Sequence, residues 1–145
     1  MSSSGATVDL ASVVTLLFVP GNQPDRFPKA ASAGADVVVC DLEDAVPTDA
    51  KDDARSAVVD WLADGRRAAV RVNAPGTAPH RADLAALAAV GEHLAGILVP
   101  MAETPKSLAA VVEALPGIAV MALVETARGI RAAAELAAVD GVVRL

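Results

Sequence analysis

Short apolar runs alternate with longer alanine-rich stretches along almost the whole chain. The apolar runs are rich in β-branched residues and have the length of strands. They predict strands over residues 15–19, 36–40, 68–72, 96–99, 118–124 and 141–145. The alanine-rich stretches predict helices near residues 24–33, 49–63, 81–90, 104–115 and 128–138. Thr104 followed by Pro105 supports one helix start, because a proline at the first helical position loses no helical hydrogen bond.

The order of these elements predicts an α/β fold built on a parallel sheet. Strands that are apolar throughout have both faces buried, which is typical of parallel sheets covered by helices. Two architectures satisfy this requirement, a doubly wound open sheet and a (β/α)8 TIM barrel. The positions of the polar residues are needed to choose between them.

Polar residues able to take part in chemistry follow nearly every predicted strand. They are Pro20 with Gly21 and Asn22, residues 41–44, Arg71 with Asn73, Pro100 with Glu103, and Glu125 with Thr126. A barrel brings the carboxyl ends of all its strands to one ring, whereas an open sheet gathers only those at a switch point. This distribution favours the barrel.

A closed barrel needs eight strands, and about six βα strands are present here. We therefore expect residues 15–145 to be the N-terminal part of a (β/α)8 barrel, unless the sheet is open. Residues 1–14 lack the positive start and the long apolar run of a signal peptide. They are expected to form a disordered leader.

Composition narrows the possible partners. The net charge of −6 leaves no basic stripe for nucleic acid, and no apolar run is long enough to span a bilayer. Hydrophobic residues make up 54% of the chain but aromatic residues only 2%, so alanine, valine and leucine must fill the core. Cys40 is the only cysteine, which favours a reducing cytoplasm and a role as a small core residue.

Two charged residues stand where charge is costly. Glu125 follows directly on a buried strand, where a carboxylate needs a cation, a substrate or hydrogen-bond donors. Arg71 lies inside an apolar strand and points into the barrel mouth if Val70 and Val72 face the helices. There its planar fork could bind a carboxylate or an enolate oxygen, or it could pair with acidic residues of the second strand.

The segment "DLEDAV" places Asp41, Glu43 and Asp44 at the end of the second strand. Carboxylates this close repel one another, so a cation or hydrogen-bond donors would stabilise them. The structural alternative is that Asp44 or Asp49 caps a helix and Asp41 accepts backbone N–H groups. His80 and His93 are expected to be solvated rather than catalytic. No nucleotide-binding glycine motif, zinc-spaced cluster or hydrolase elbow is present.

Taken in order, these motifs resemble the citrate lyase β-subunit-like family of the HpcH/HpaI aldolase superfamily. The segments that carry the resemblance are "LLFVPGNQPDRFPKAASAGADVVVCDLEDAV", "VRVN", "LVPMAET" and "ALVETARGI". The resemblance implies a (β/α)8 barrel that uses Mg²⁺ to cleave or form a carbon–carbon bond, often in acyl-CoA esters such as malyl- or citramalyl-CoA. It also implies a small-molecule substrate, expected to be a CoA thioester, and a homo-oligomer.

The resemblance also assigns roles to single residues. Glu125 matches a catalytic, metal-ligating carboxylate, and Arg71 matches a catalytic, substrate-binding arginine. Pro20 and Gly21 are expected to bind substrate. Asp41, Glu43 and Asp44 are expected to act on the metal through water.

Some features depart from the family pattern. The second metal-ligating aspartate is expected after the sixth strand, beyond Leu145, so we expect weak metal binding and little turnover from these residues alone. Met101 and Gln23 stand where many members carry lysine and arginine. Three alternatives remain open: a 2-oxo-acid aldolase without CoA, a non-catalytic truncated barrel that binds or assembles, and an open-sheet ligand-binding domain.

Overall fold

The computed structural model describes residues 8–145, which form one parallel sheet with helices between its strands. The strands of this part of the chain are β1 (Leu16–Pro20), β2 (Val37–Asp41), β3 (Ala68–Arg71), β4 (Leu94–Val99), β5 (Val120–Ala122) and β6 (Val142–Arg144). The helices are α1 (Phe27–Ala31), α2 (Lys51–Ala63), α3 (Ala78–Ala88), α4 (Pro105–Ala114) and α5 (Ala127–Ala137). The predicted α/β class is confirmed.

The strands pair in chain order, β1-β2-β3-β4-β5-β6, and every pair is parallel. A doubly wound sheet reverses its strand order at a switch point, whereas a barrel does not. Within residues 8–145 the sheet is open between β1 and β6. The arrangement is therefore that of a partial barrel, as predicted.

Helix boundaries follow local capping chemistry. The side chain of Thr104 accepts a hydrogen bond from the N–H of Ser107, and Pro105 is the first residue of α4, as predicted. Helix α3 begins at Ala78, earlier than predicted, because Thr77 caps it by accepting from the N–H of His80. Strand β5 has only three residues and is shorter than the predicted run.

The two faces of the sheet pack against different partners. Val70 and Val72 of the third strand region belong to the larger apolar cluster, which contains helix residues such as Leu62 and Leu108. Ala69 belongs to a second cluster on the opposite, inner face, which corresponds to the barrel interior. Because side chains alternate along a strand, Arg71 follows Ala69 onto the inner face.

Residues 8–14 cover part of this inner face. Leu10 and Val13 are buried there, and a Cβ added to Gly96 would lie 2.5 Å from the Leu10 side chain. Nη1 of Arg144 in β6 donates to the carbonyl oxygen of Val13 at 2.6 Å. The expectation of a disordered leader is wrong for residues 8–14, because the apolar side chains of Leu10 and Val13 are buried on the inner face. Residues 1–7 of that leader lie outside the described residues.

Cys40 lies fully buried in β2 and is a free thiol. Burial, with a smaller contribution from the Asp41 carboxylate, raises the pKa of this thiol to about 12. The thiolate is therefore scarce at neutral pH, and the prediction of a core role is confirmed. No helix within residues 8–145 has the length and apolar character required to cross a membrane.

The Leu10→Ala substitution tests the packing of the N-terminal segment. Leu10 is 1% exposed, so its truncation should lower the free energy of unfolding by about 2–4 kcal/mol. Val14→Ala is the matched control, because Val14 is 83% exposed and should change stability by less than about 0.5 kcal/mol. Urea unfolding of the two variants measures the difference, and equal midpoints would contradict the packing of Leu10.

Candidate functional site at the carboxyl ends of the strands

Arg71 and Asp41 form a two-pronged ion pair on the inner face. The parallel register of β2 and β3 sets the two residues side by side at the carboxyl ends of their strands. Nε of Arg71 donates to Oδ1 of Asp41 at 2.8 Å, and Nη2 donates to Oδ2 at 2.6 Å. Such a fork-to-carboxylate pair fixes the plane of the guanidinium as well as its position.

Asp41 is held by the backbone of the following loop as well as by Arg71. Its two oxygens accept hydrogen bonds from the N–H groups of Glu43 and Ala45 at 2.9 and 3.1 Å. Burial acts to raise the pKa of Asp41, but the hydrogen bonds from Arg71 and these N–H groups, together with the Arg71 charge, lower it. Asp41 is therefore an ionised anchor, and both structural alternatives for Arg71 and Asp41 occur here.

Glu43 places a second carboxylate beside the guanidinium of Arg71. Its Oε2 lies 3.3 Å from Nη1 of Arg71 but accepts no hydrogen bond, although this oxygen is buried. Burial raises the pKa of Glu43, the charge of Arg71 opposes this, and the charges of Asp44, Glu125 and Asp41 add to the rise. Glu43 is thus a carboxyl group that lacks a sufficient positive partner.

Asp44 is more distant from the guanidinium. Its Oδ2 lies 3.9 Å from Nη1 of Arg71, and its side chain is 79% exposed. The proposed capping role for Asp44 or Asp49 is wrong within the described residues, because helix α2 begins after Ala50 without a side-chain cap. At that distance and exposure the pair adds little to stability.

Glu125 lies at the end of the fifth strand region, where its carboxylate meets the neighbouring loop. Its Oε2 accepts a hydrogen bond from the backbone N–H of Met101 at 2.9 Å. The charge of Glu125 contributes to the raised pKa of Glu43, and Glu43 in turn lies against Arg71. Glu125 and Arg71 therefore both act on the carboxyl group of Glu43.

Phe18 and Lys51 belong to the site but were not predicted. The Phe18 ring, on the inner face of β1, lies 5.2 Å from the guanidinium carbon of Arg71 and is 44% exposed. This cation–π contact supports Arg71 from the side of β1. Nζ of Lys51 donates to the carbonyl oxygens of Leu42 and Glu43 at 2.7 and 2.6 Å, which holds the acidic loop on α2.

Pro20 and Gly21 begin the first loop, beside Asp41. The N–H of Gly21 donates to the carbonyl oxygen of Asp41 at 2.8 Å, so this donor is already used within the protein. A Cβ at Gly21 would lie 2.8 Å from the same oxygen. Gly21 therefore serves loop packing, and contact of Pro20 and Gly21 with a substrate stays a prediction.

A buried polar network lies behind the site and was missed. Oδ2 of Asp83 accepts from the backbone N–H and the side-chain amide of Asn73, both at 2.8 Å, and Oδ1 accepts from Nε of Arg55 at 2.8 Å. Nδ1 of His80 lies 2.7 Å from the carbonyl oxygen of Asn73. The expectation that His80 is solvated is wrong, because His80 is buried in this network.

The carboxylates at this end of the sheet fit a divalent cation in charge and in donor type. Mg²⁺ prefers carboxylate oxygens and usually takes one or two of them, with water and substrate completing its shell. Glu125 offers one carboxylate, and the buried, unpartnered oxygen of Glu43 offers a second or an acceptor for a metal-bound water. Within residues 8–145 no three His, Cys, Asp or Glu side chains lie close enough to hold a metal by themselves.

The fold and the site define a class of protein, an α/β barrel with an arginine–carboxylate pair at the carboxyl ends of its strands. The chain belongs to the HpcH/HpaI aldolase/citrate lyase family, whose family model matches residues 14–145. A citrate lyase subunit beta-like protein of Mycobacterium tuberculosis is 50% identical over 124 residues. A (3S)-malyl-CoA thioesterase of Cereibacter sphaeroides is 39% identical over 128 residues.

Solved structures agree with this assignment. The citrate lyase beta subunit of Mycobacterium tuberculosis complexed with oxaloacetate and magnesium matches with a TM-score of 0.74 and 44% identity, covering 91% of this chain and 56% of that one. The protein CitE of the same organism, in complex with magnesium, acetoacetate and coenzyme A, matches with a TM-score of 0.77 and 42% identity, covering 92% and 48%.

The match is to part of each relative. The alignments cover 86% of this chain but 43% of the citrate lyase beta-like protein and 44% of the malyl-CoA thioesterase. The chain thus spans less than half the length of these curated relatives. The structure accordingly contains six parallel strands of a partial barrel and the groups carried at their carboxyl ends.

The Asp41→Asn substitution tests the ion pair. Removing the charge of Asp41 leaves Arg71 without its buried partner and should lower the free energy of unfolding by about 3 kcal/mol at pH 7. Because the pKa of Asp41 is lowered in the folded chain, this contribution is full above about pH 4 and is lost as the pH falls further.

Urea unfolding of wild type and Asp41→Asn between pH 7 and pH 3 measures this contribution. Asp44→Asn is the matched control and should change stability by less than about 0.5 kcal/mol, because Asp44 is exposed. An Asp41→Asn variant as stable as Asp44→Asn at pH 7 would show that the pair does not anchor the site.

Proposed function

We propose that the protein is a Mg²⁺-dependent carbon–carbon lyase that acts on acyl-CoA esters of small hydroxy acids, of the citryl-, malyl- or citramalyl-CoA type. Membership of the HpcH/HpaI aldolase/citrate lyase family supports the reaction class. The relatives named for malyl-CoA, and the similar structures solved with magnesium and coenzyme A, support the substrate class and the metal.

The observation that carries the proposal is the presentation of Arg71. Two of its nitrogens donate to Asp41, and Nη1 faces the carboxylates of Glu43 and Asp44 at 3.3 and 3.9 Å. A guanidinium fixed in this way does not have to reorganise when negative charge develops next to it. The charge of Glu125 also acts on the carboxyl group of Glu43.

Carbon–carbon cleavage of a 3-hydroxyacyl thioester requires such a group. The hydroxyl loses its proton, the bond between the hydroxyl-bearing carbon and the carbon next to the thioester breaks, and the electron pair passes to the thioester oxygen as an enolate. Protonation of the enolate carbon then gives a shorter acyl-CoA and a carbonyl compound. In this proposal Nη1 of Arg71 binds the oxygen on which charge develops, and Asp41 keeps the guanidinium in place.

Glu125 would hold the metal, with Asp41, Glu43 and Asp44 acting through water. When bound, Mg²⁺ supplies a Lewis acid that polarises the substrate oxygens and orients them. Pro20 and Gly21 would border the substrate in the first loop. Cytoplasmic location, supported by the single cysteine, and homo-oligomeric assembly are part of the same proposal.

Product analysis separates this function from its alternatives. With malyl- or citramalyl-CoA, a lyase yields a shorter acyl-CoA and a 2-oxo acid, whereas a thioesterase yields free CoA and the intact hydroxy acid. A 2-oxo-acid aldolase would cleave free hydroxy-oxo acids and ignore the thioesters. Calorimetric titration with Mg²⁺ addresses the non-catalytic alternative, because a folded chain that gives no heat would favour a binding or assembly module.

The Glu125→Gln substitution tests the metal site. Losing the carboxylate charge should weaken Mg²⁺ binding at least about tenfold and, in the full-length context, abolish metal-dependent turnover, because neutral amides are poor ligands for this hard cation. Calorimetric titration with Mg²⁺ measures the affinity. Glu113→Gln, an exposed change on α4, is the control and should bind like wild type. Near-normal affinity in Glu125→Gln would remove Glu125 from the metal site.

The Arg71→Lys substitution tests the substrate role. Lysine keeps the positive charge but not the fork, so kcat should fall about 10²–10³-fold while Mg²⁺ affinity changes little. Steady-state kinetics with a thioester substrate and Mg²⁺ titration give the two values. Thermal unfolding checks that the variant remains folded. An unchanged kcat would remove Arg71 from the mechanism.

A further inference from the structure

Met101 has an unusual backbone conformation. Its φ angle is +51°, and it is the only residue other than glycine in the described part of the chain with a positive φ. A side chain makes this left-handed region unfavourable, and residues held there are concentrated at functional sites. Met101 follows directly on Pro100 after β4, at the same end of the sheet as Arg71.

This conformation aims the N–H of Met101 at the carboxylate of Glu125. The donor nitrogen lies 2.9 Å from Oε2, across the gap between the β4–α4 loop and the β5–α5 loop. Met101 itself is 43% exposed, so burial of its side chain does not explain the backbone conformation. The conformation does determine where the N–H points.

The surrounding contacts hold the two loops in register. The N–H of Ala102 donates to the carbonyl oxygen of Leu123 at 3.1 Å, and the hydroxyl of Thr126 donates to Oε1 of Glu103 at 2.8 Å. A Cβ at Gly129 would lie 2.5 Å from the carbonyl oxygen of Ala102, so the start of α5 packs directly on this loop. The left-handed turn at Met101 is thus imposed from both sides.

We propose that the left-handed turn at Met101 is a positioning device for Glu125. The turn fixes one carboxylate oxygen by a backbone hydrogen bond and thereby sets the direction in which the carboxylate points. Met101 is a positioning residue and not a catalytic one, because it acts through Glu125. The inference rests on the proposed function, in which Glu125 holds Mg²⁺.

Substitutions at position 101 can change the backbone preference without removing the N–H. Met101→Val and Met101→Ile introduce β-branched side chains, for which a positive φ is a genuine outlier. Met101→Leu keeps the volume and the unbranched Cβ and is the matched control for loss of the sulfur. Met101→Gly removes the steric cost of a positive φ while keeping the donor.

The experiment measures Mg²⁺ affinity by calorimetry and amide hydrogen exchange at residue 101, corrected for residue type, on the 145-residue chain. Loss of a group that orients a metal ligand typically weakens metal binding about 10- to 100-fold. We expect Met101→Val and Met101→Ile to bind Mg²⁺ about tenfold more weakly, equal to about 1.4 kcal/mol, and to exchange faster at residue 101. Met101→Leu and Met101→Gly should match wild type in both measurements.

The outcomes separate this inference from the proposed function. If Glu125→Gln binds weakly but Met101→Val binds like wild type, the inference is overturned and the metal role of Glu125 stands. If Met101→Leu is as impaired as Met101→Val, the side chain and not the turn is responsible, which also overturns the inference. If wild type binds no Mg²⁺, or if Glu125→Gln binds normally, the proposed metal site fails and the inference fails with it. Should Met101→Val not fold, Met101→Ile and the Met101→Gly comparison give the same decision.

Discussion

The pairing of Arg71 with Asp41 is the constraint on which the site depends. Both charges lie on the inner face of the sheet, where removal from water is costly and only a well-formed pair with further hydrogen bonds is tolerated. The parallel register of β2 and β3 supplies this geometry, and the loop N–H groups satisfy the remaining acceptors of Asp41. Buried ion pairs often stabilise a fold no more than well-packed apolar residues do, so stability alone does not explain why a charged pair stands here.

The environments of the two neighbouring carboxyl groups divide their roles. Hydrogen bonds and the Arg71 charge lower the pKa of Asp41, whereas burial and the adjacent carboxylates raise the pKa of Glu43. A raised pKa in the folded state means that ionised Glu43 costs stability at neutral pH, and that this cost falls as Glu43 becomes protonated. Opposite pKa shifts in adjacent titratable groups are typical of functional sites, where one group stays ionised and the other can gain or lose a proton.

Most of the fold could be predicted because it depends on local patterns. The apolar runs predicted the strands, and the alternation of Val70 and Val72 with Arg71 predicted that Arg71 lies on the inner face. The features that were missed depend on contacts distant in sequence or on backbone angles. Burial of Leu10 requires the inner face of strands far along the chain. The sequence around His80 is typical of a polar loop, but Nδ1 of His80 lies against the carbonyl oxygen of Asn73, whose side chain is bound to Asp83.

In the candidate site too, some features follow from local sequence patterns and others from contacts between loops. The residue types at the strand ends identified Arg71 and Glu125, because isolated charges beside buried strands require a reason. Nothing in the letters around Met101 indicates a positive φ, since methionine has no preference for that region. The turn arises from packing between two loops, each of which is ordinary alone. Composition and spacing therefore do not reveal the hydrogen bond from the Met101 N–H to the Glu125 carboxylate. In this chain that hydrogen bond acts on the group proposed to hold the metal.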